Sequence, residues 1–175
     1  MTYNILGINP GHNGSAALVS DGKLVRFIEE ERLTRKKYDG NPFRAMFEIM
    51  YDYEIHELII GGTGQEEHRL PWTGEDSYTA IVRKLFPNVK VNKRGNEHHL
   101  GHVYSAFYNS GFERALAIVV DGSGSFHKLS VSLNYEKTID QEGFETESSW
   151  ICEFPRDIEL SHTAIGNNRG NCGTF

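Results

Sequence analysis

Cysteine is scarce in this chain: its 175 residues contain two, Cys152 and Cys172, and they do not form a C-x-x-C pair. Free thiols in the cytoplasm are therefore the default expectation. Long apolar runs are also missing, since no stretch approaches the ~20 residues that a membrane-spanning helix needs. The N-terminus has no charged region followed by a long apolar segment. The sequence therefore predicts a cytoplasmic protein that makes no membrane contact.

Positive charge is in deficit, with 18 Lys and Arg against 24 Asp and Glu and a net charge of −6. Phosphate backbones require clustered Lys and Arg, so this composition argues against a general nucleic-acid-binding protein. The one dense basic stretch is residues 32–37. It is either a solvated surface loop or a contact for a substrate phosphate or carboxylate.

What the sequence does contain is an alternation of strand and helix patterns. Its length allows one medium domain or two small lobes, with a core that needs neither disulfides nor a structural metal. Three strand patterns come first, and the Asp21-Gly22 hairpin signal makes the opening antiparallel; they cover residues 3–8, 15–19 and 23–28. Helix and strand patterns then alternate at residues 42–51, 58–62, 75–85, 89–92 and 97–109. This order predicts an α/β domain.

The segment Glu97-His98-His99-Leu100-Gly101-His102 is the strongest candidate for a functional site. In a helix over residues 97–109, His98 and His102 lie one turn apart on one face, because residues at i and i+4 superpose. Two imidazoles so placed can bind one divalent metal. Asp121 follows an apolar strand pattern and precedes glycines, so its carboxylate can supply a third, oxygen ligand.

Other interpretations of this segment stay open. A His pair on a helix often serves only local hydrogen bonds. A zinc-protease motif needs Glu directly after the first His, and His99 stands there, so a metalloprotease is not indicated. Two His and one Asp are typical of Fe(II) sites with open coordination positions, although Zn and Mn also accept these ligands. His99 points about 100° away from the pair and is expected to be a supporting or buried hydrogen-bonding residue.

Two glycine-rich turns each join two strand patterns: Gly11-His12-Asn13-Gly14-Ser15 and Asp121-Gly122-Ser123-Gly124. Glycine permits positive φ and close backbone approach, so such a turn can direct several N–H groups at a phosphate. An ordinary tight turn is the alternative for either one alone. The repeated unit, with an acidic residue in the second copy that can hold a metal, favours nucleotide binding and matches the plan of the actin-like ATPase folds.

Four motifs occur in a specific order and spacing over nearly the whole chain. They are Ile5-Leu6-Gly7-Ile8 through Gly11-His12-Asn13-Gly14-Ser15-Ala16-Ala17-Leu18, Glu29-Glu30-Glu31-Arg32-Leu33-Thr34-Arg35-Lys36-Lys37, the histidine segment with Ser105-Ala106-Phe107-Tyr108, and Val120-Asp121-Gly122. In these motifs the chain resembles the O-carbamoyltransferases of the nodulation-protein and antibiotic-tailoring type. More distantly, the histidine helix resembles that of the tRNA threonylcarbamoyl-adenosine synthases, which share an actin-like, metal- and ATP-binding domain.

The resemblance implies an α/β domain of the actin-like ATPase (ribonuclease-H-like) fold, whose mixed sheet opens with antiparallel strands. It also implies a reaction in which carbamoyl phosphate and ATP give a carbamoyl-adenylate, and the carbamoyl group then passes to the hydroxyl of a small-molecule or nucleotide acceptor. By this analogy His98, His102 and Asp121 are three ligands of a divalent metal, with Fe(II) favoured and Zn or Mn as alternatives.

The other site residues are expected in the two turns and the basic stretch. The phosphates of ATP are expected against Gly11, Asn13, Gly14, Ser15, Gly122, Ser123 and Gly124. Lys36 and Lys37 are expected to contact an anion. His12, in the first turn, is expected to position substrate or accept the hydroxyl proton, and a plain turn role is its alternative.

The chain departs from this family in length. Family members close the domain with a second half and add a domain that makes the adenylate, so residues 1–145 are expected to be the first lobe and 146–175 the truncated start of the second. The chain is then a fragment or a split subunit that needs the missing lobe in cis or in trans, or a homo-oligomer. We expect negligible carbamoyl transfer by it alone. Residues 145–175 are expected to leave apolar surface uncovered, and to be poorly ordered or buried in an oligomeric contact.

Two other function classes stay open. The first is a catalytically incomplete homologue that serves as a binding or assembly subunit. Retention of His98, His102, Asp121 and both turns favours the enzyme over it. The second is a relative of the tRNA threonylcarbamoyl-adenosine synthases, which the acidity of the chain and the better match of residues 29–37 to the O-carbamoyltransferases disfavour.

Overall fold

The computed structural model describes residues 2–11, 13–61, 76–95, 97–134 and 137–166. The chain divides into two compact units, Met1–Gly95 and Asn96–Phe175. None of the helices in the described ranges has the length and hydropathy that a bilayer crossing requires.

The described residues of unit 1 contain one five-stranded mixed sheet. Its strands are β1 (Asn4–Asn9), β2 (Ser15–Ser20), β3 (Lys23–Glu29), β4 (Glu57–Ile60) and β5 (Lys90–Lys93), in the spatial order β3-β2-β1-β4-β5. The first three strands pair antiparallel, whereas β4 runs parallel to β1 and β5 parallel to β4. This order and these directions are those of the actin-like (ribonuclease-H-like) sheet, so the predicted fold class is confirmed.

Three helices accompany this sheet in the part of unit 1 that the structure describes: α1 (Glu30–Thr34), α2 (Phe43–Asp52) and α3 (Ser77–Leu85). The apolar residues of α2 recur at helical spacing, and its Ala45, Met46 and Ile49 are fully buried. They join Leu6 of β1 and Leu58 of β4 in one core. Each fully buried side chain of Leu, Ile or Met size contributes about 1.5–3 kcal/mol, so this core is the main source of stability in unit 1.

Glu30 ties α1 to the start of α2. Its carboxylate is 2% exposed and accepts the backbone N–H groups of Arg44, at 3.2 Å, and Ala45, at 2.8 Å. These amides lie in the first turn of α2, where a helix has no internal acceptors, and the preceding Pro42 makes no side-chain cap. Glu30 therefore caps α2 from a different element.

In unit 2, the described residues form α4 (His98–Ser110) and four strands, β6 (Arg114–Val120), β7 (Phe126–Asn134), β8 (Lys137–Glu153) and β9 (Asp157–Gly166). The long β8 pairs antiparallel with β7 along its first half, and with β6 and β9 along its second half. Helix α4 packs Val103 and Phe107 onto Val119 and Cys152 of this sheet, and it ends at Gly111, whose φ of 75° is left-handed.

The expectations about the C-terminal part have different outcomes. Residues 145–166 form antiparallel strands in β8 and β9, so the alternative of poor order does not apply to them, and residues 167–175 lie outside the described part. Burial in an oligomeric contact, the other alternative, stays a prediction. The expected apolar exposure is present, since Ile151, Phe154 and Leu160 are all at least 44% exposed. The predicted lobe boundary between residues 145 and 146 falls inside β8 and stays a prediction.

Candidate metal site

Helix α4 presents two histidines of unit 2 on one face. His98 is its first residue and His102 follows one turn later, as predicted. The backbone N–H of His98 has no acceptor inside the helix, and it donates instead to the Oγ of Ser125, at 3.1 Å. Because Ser125 is fully buried, this hydrogen bond fixes the backbone position of His98.

Asp121 reaches the same point from the end of β6. Its backbone N–H donates to the carbonyl of Thr146 on β8, at 2.9 Å. Its Oδ1 accepts the N–H of Gly122, at 2.6 Å, which leaves Oδ2 directed at the histidines. The sheet therefore holds the backbone of Asp121, and the turn holds one side of its carboxylate.

The three candidate ligand atoms converge. Asp121 Oδ2 lies 2.6 Å from His98 Nε2 and 3.7 Å from His102 Nε2, and the two nitrogens are 3.1 Å apart. Two atoms that each bind one ion at about 2.1 Å stand about 3.0–3.5 Å apart at octahedral or tetrahedral angles. The cluster therefore has the size and the donor set, two imidazoles and a carboxylate, that suit a divalent first-row metal.

Protons alone satisfy this cluster poorly. His98 Nε2 faces both Asp121 and His102, and it can direct a single hydrogen at only one of them. If His98 Nε2 donates its hydrogen to the Asp121 carboxylate, it has none to direct at His102 Nε2. The two imidazole nitrogens then face each other at 3.1 Å without a hydrogen bond that fits the contact. A cation bound to all three atoms removes the conflict, and this supports the metal interpretation over a mere hydrogen-bonded pair.

The electrostatics keep Asp121 ready to bind a cation. Partial burial raises the pKa of its carboxyl, but the hydrogen bonds from His98 and from the Gly122 amide outweigh that effect, and the pKa lies below its ordinary value. The imidazole of His102 is 54% exposed and that of His98 is 22% exposed, so solvent reaches the cluster on the His102 side.

We expect the Asp121 carboxylate to make the protein more sensitive to acid. A carboxyl whose folded pKa lies below its unfolded value of about 3.9 stabilises the fold above that pH, and the stabilisation is lost as the pH falls through the lowered folded value. In metal-free buffer, the free energy of unfolding of Asp121→Asn should therefore fall less steeply below about pH 4 than that of the wild type. Urea denaturation at a series of pH values measures this slope.

The matched control is Asp157→Asn, which removes an exposed carboxylate at the start of β9. This variant should keep the acid sensitivity of the wild type. If Asp121→Asn and the wild type lose stability in parallel down to the lowest pH at which both still fold, the assignment of Asp121 is wrong.

His99 is buried, as the helix geometry predicted, and is 0% exposed. Its Nδ1 lies 2.8 Å from the Oγ of Ser148 on β8. Burial lowers the pKa of His99, so the imidazole is neutral at physiological pH despite the nearby Glu145 carboxylate. Sequence reasoning did not find Glu145 or Ser148, because each meets the site only through the long-range pairing of β8. Ser125 lies beside the second glycine turn, but its bond to His98, 27 residues away, could not be predicted from a local pattern.

The four glycine amides of the two turns donate to acceptors within the protein. The N–H groups of Gly122 and Gly124 donate to Asp121 Oδ1 and to the carbonyl of Glu145. In unit 1, the amides of Gly11 and Gly14 donate to the carbonyls of Gly40, at 2.8 Å, and Asp39, at 2.9 Å. A Cβ on Gly14 would lie 2.8 Å from Asp39 O, so this glycine serves a close backbone approach.

The other predicted site residues are placed as follows. Asn13 has a left-handed φ of 60°, Ser15 begins β2, and Ser123 is half-buried in the second turn. Lys36 and Lys37 are exposed, and the Nζ of Lys37 lies 5.8 Å from the ring centre of Tyr38. His12 lies outside the described residues. Contacts of these residues with phosphate or substrate stay predictions.

Comparison with known proteins gives partial matches to much longer relatives. Nodulation protein NolNO of Sinorhizobium fredii is 30% identical over 136 residues, which is 66% of this chain and 20% of that protein. MJ1051 of Methanocaldococcus jannaschii is 34% identical over 128 residues, 69% of this chain and 22% of the relative. The protein sll1178 of Synechocystis is 27% identical over 201 aligned positions, which cover 94% of this chain and 31% of that protein. The chain thus spans about a fifth to a third of these relatives.

No model of a protein family matches the chain. Among solved structures, YeaZ from Pseudomonas aeruginosa aligns over 93% of this chain and 66% of its own, with 13% identity and a TM-score of 0.40. The fold assignment rests on the strand order of unit 1.

Proposed function

We propose that this chain forms the metal-binding part of an O-carbamoyltransferase. Such an enzyme converts carbamoyl phosphate, water and ATP to a carbamoyl-adenylate with release of phosphate and pyrophosphate, and then passes the carbamoyl group to a substrate hydroxyl with release of AMP. The observation that carries the proposal is the convergence of His98, His102 and Asp121, three residues of the motifs that resemble this family. The similarity to a nodulation protein supports the same conclusion.

The metal would be held by the Nε2 atoms of His98 and His102 and by the Asp121 carboxylate. Fe(II) is the favoured ion for two imidazoles and one carboxylate, and Mn and Zn are the alternatives. A bound ion supplies Lewis-acid chemistry, since it polarises a carbonyl and neutralises charge on phosphate oxygens. The exposed side of His102 is where a substrate can approach the cluster.

The protein itself supplies a fixed arrangement around the ion. Because Asp121 is bonded to β8 through its backbone and to Gly122 through Oδ1, its Oδ2 is oriented toward His98 before any ligand binds. The acceptor hydroxyl must lose a proton as its oxygen bonds to the carbamoyl carbon and the bond to AMP breaks. His12 is our candidate for accepting that proton.

A second candidate function is a binding or assembly subunit without catalysis of its own. It is favoured by the engaged amides of Gly11, Gly14, Gly122 and Gly124, because an amide that already donates to a protein oxygen is not free to bind a phosphate. Under this alternative the metal site persists, but ATP does not bind. Nucleotide binding therefore separates the two candidates.

The test combines three measurements on the purified chain under anaerobic conditions. Fe(II), Mn(II) and Zn(II) are titrated first, then ATP is titrated with and without metal. Carbamoylation of a panel of hydroxyl compounds is then followed by mass spectrometry with carbamoyl phosphate and ATP, for this chain and for a longer protein that contains it. Metal-dependent ATP binding, and carbamoylation by the longer protein, are the expected results. Metal binding without ATP binding in either protein would favour the assembly subunit.

A further inference from the structure

A buried polar group lies beneath the metal-ligand cluster in unit 2. His99 is at its centre, and its Nδ1 is 2.8 Å from Ser148 Oγ. The same oxygen accepts the indole N–H of Trp150, at 2.8 Å. Glu145, which is 5% exposed, places its Oε1 3.4 Å from His99 Nδ1. A histidine, a serine and a carboxylate thus form one compact set, which we call the His99 floor: His99, Glu145 and Ser148.

The His99 floor supports the second glycine turn by direct contact. An ideal Cβ built on Gly124 would lie 2.8 Å from both Cδ2 and Nε2 of His99, and 2.9 Å from Glu145 Oε2. Real Cβ atoms do not approach other heavy atoms this closely, so the backbone of Gly124 rests on the ring edge with no room for a side chain. The ring edge of His99 therefore sets how far the turn can move inward.

Hydrogen bonds connect this contact to the metal ligands. The N–H of Gly124 donates to the carbonyl of Glu145, at 2.6 Å, and the N–H of Glu145 donates to the carbonyl of Ser125, at 2.9 Å. Ser125 Oγ in turn accepts the N–H of His98, and Asp121 begins the same turn. Any shift of Gly124 is thus transmitted to the atoms that fix His98 and Asp121 relative to each other.

Packing alone does not account for a histidine at this position. The Nε2 of His99 is buried and has no hydrogen-bond partner among the described residues. A buried polar atom without a partner costs free energy, which an apolar side chain of similar volume would avoid. The imidazole must therefore make an interaction that an apolar side chain cannot make. That interaction is its hydrogen bond to Ser148, which fixes the orientation of the ring under Gly124.

We infer that His99 is a positioning residue of the metal site: held by Ser148, its ring supports Gly124 and so sets the separation of Asp121 from His98. The inference rests on the proposed function only in requiring that the cluster of His98, His102 and Asp121 binds a divalent ion. It assigns to the middle histidine of the segment a role distinct from that of the two ligands. It also explains why the turn has glycine at position 124.

The test is a double-mutant cycle on the full chain, read out by Co(II) binding. Gly124→Ala should lower Co(II) affinity by about 10–100-fold, because its Cβ must push the turn away from the ring. His99→Ala should lower it by about 10-fold or more by removing the support. In the double variant the new methyl group has space where the ring stood, so the loss should be smaller than the product of the two single losses. Visible Co(II) spectra report the ligand geometry independently of stability.

Two further variants keep the outcome interpretable. Gly101→Ala is the matched control, because a Cβ there meets nothing within 4 Å, and its Co(II) affinity should stay within about twofold of the wild type. His99→Gln retains a polar contact for Ser148, and should keep more affinity than His99→Ala. If circular dichroism shows that His99→Ala does not fold, the cycle uses His99→Gln in its place. The cycle then consists of His99→Gln, Gly124→Ala and the double variant of these two.

The outcomes separate the two levels of inference. If the wild-type chain binds no Co(II), the metal-based function fails. If the wild type binds Co(II) and the folded His99 and Gly124 variants bind it with the same affinity and spectrum, the metal site stands and the positioning role of His99 is wrong. Strictly multiplicative losses in the cycle would also overturn it, because contact between residues 99 and 124 is what the inference requires.

Discussion

Replacing His102 with alanine should lower the affinity of the chain for Fe(II) or Co(II) by more than about 100-fold. Residues that merely support metal ligands change affinity by about 10–100-fold, and a direct ligand should change it more. His102 contributes one of two imidazole nitrogens, 3.1 Å apart, and its loss leaves one imidazole and one carboxylate. His102 is also half-exposed, so the substitution should leave the fold intact. Anaerobic calorimetric titration, with circular dichroism of each variant, measures both quantities.

The control for this experiment is His162→Ala, which removes an exposed histidine of β9. This variant should bind metal as the wild type does. His98→Ala should lose affinity like His102→Ala, and it should also free the Asp121 carboxylate from its 2.6 Å contact. Equal metal binding by the His102 and His162 variants would show that the ion, if any, binds elsewhere.

Replacing Glu30 with alanine should reduce the free energy of unfolding by about 3–5 kcal/mol. The carboxylate is almost fully buried and is the acceptor for two backbone N–H groups in the first turn of α2, those of Arg44 and Ala45. Without it, both donors lose their acceptor in a place where water cannot easily replace it. The loss would be a large part of the about 5–15 kcal/mol that stabilises a typical domain. Urea denaturation measures the change.

Glu48→Ala is the comparison, because Glu48 is half-exposed and makes a 3.4 Å ion pair with Arg26 at the surface. Such pairs contribute about 0–1 kcal/mol, so this variant should unfold near the wild-type midpoint. Glu30→Gln, which keeps one acceptor oxygen, should fall between the two. A Glu30→Ala variant as stable as Glu48→Ala would mean that α2 does not depend on this cap.

The sequence was informative wherever a pattern is local. The strands of unit 1 and the helices α2, α3 and α4 begin and end within about two residues of their predicted bounds, because apolar periodicity and turn residues determine them. The placing of His98 and His102 on one helical face needed only the i, i+4 rule. Asp121 was found because it follows an apolar strand and precedes glycine.

The sequence did not predict the features that depend on contacts between residues far apart in the chain. The buried positions of β8 include Glu145, Thr146 and Ser148, so this strand lacks the apolar alternation by which a strand is recognised. The cap that Glu30 provides joins elements that no local rule connects. Glycine content suggested phosphate-binding turns, but it could not reveal that Gly14 and Gly124 are required by close contacts with protein atoms.

The sequence separations around the long strand β8 have a consequence for the order in which the proposed metal site is completed during folding. The two histidines are four residues apart and need only α4, whereas His98 and Asp121 are 23 residues apart. Strands β6 and β8 pair across larger separations, from Val120 with Glu147 to Arg114 with Glu153. Contacts of larger sequence separation form later, because more chain must be closed into a loop first. We therefore expect the three candidate ligands to meet when α4 packs against β6, before β8 completes the sheet, so that an ion bound there would stabilise this early contact.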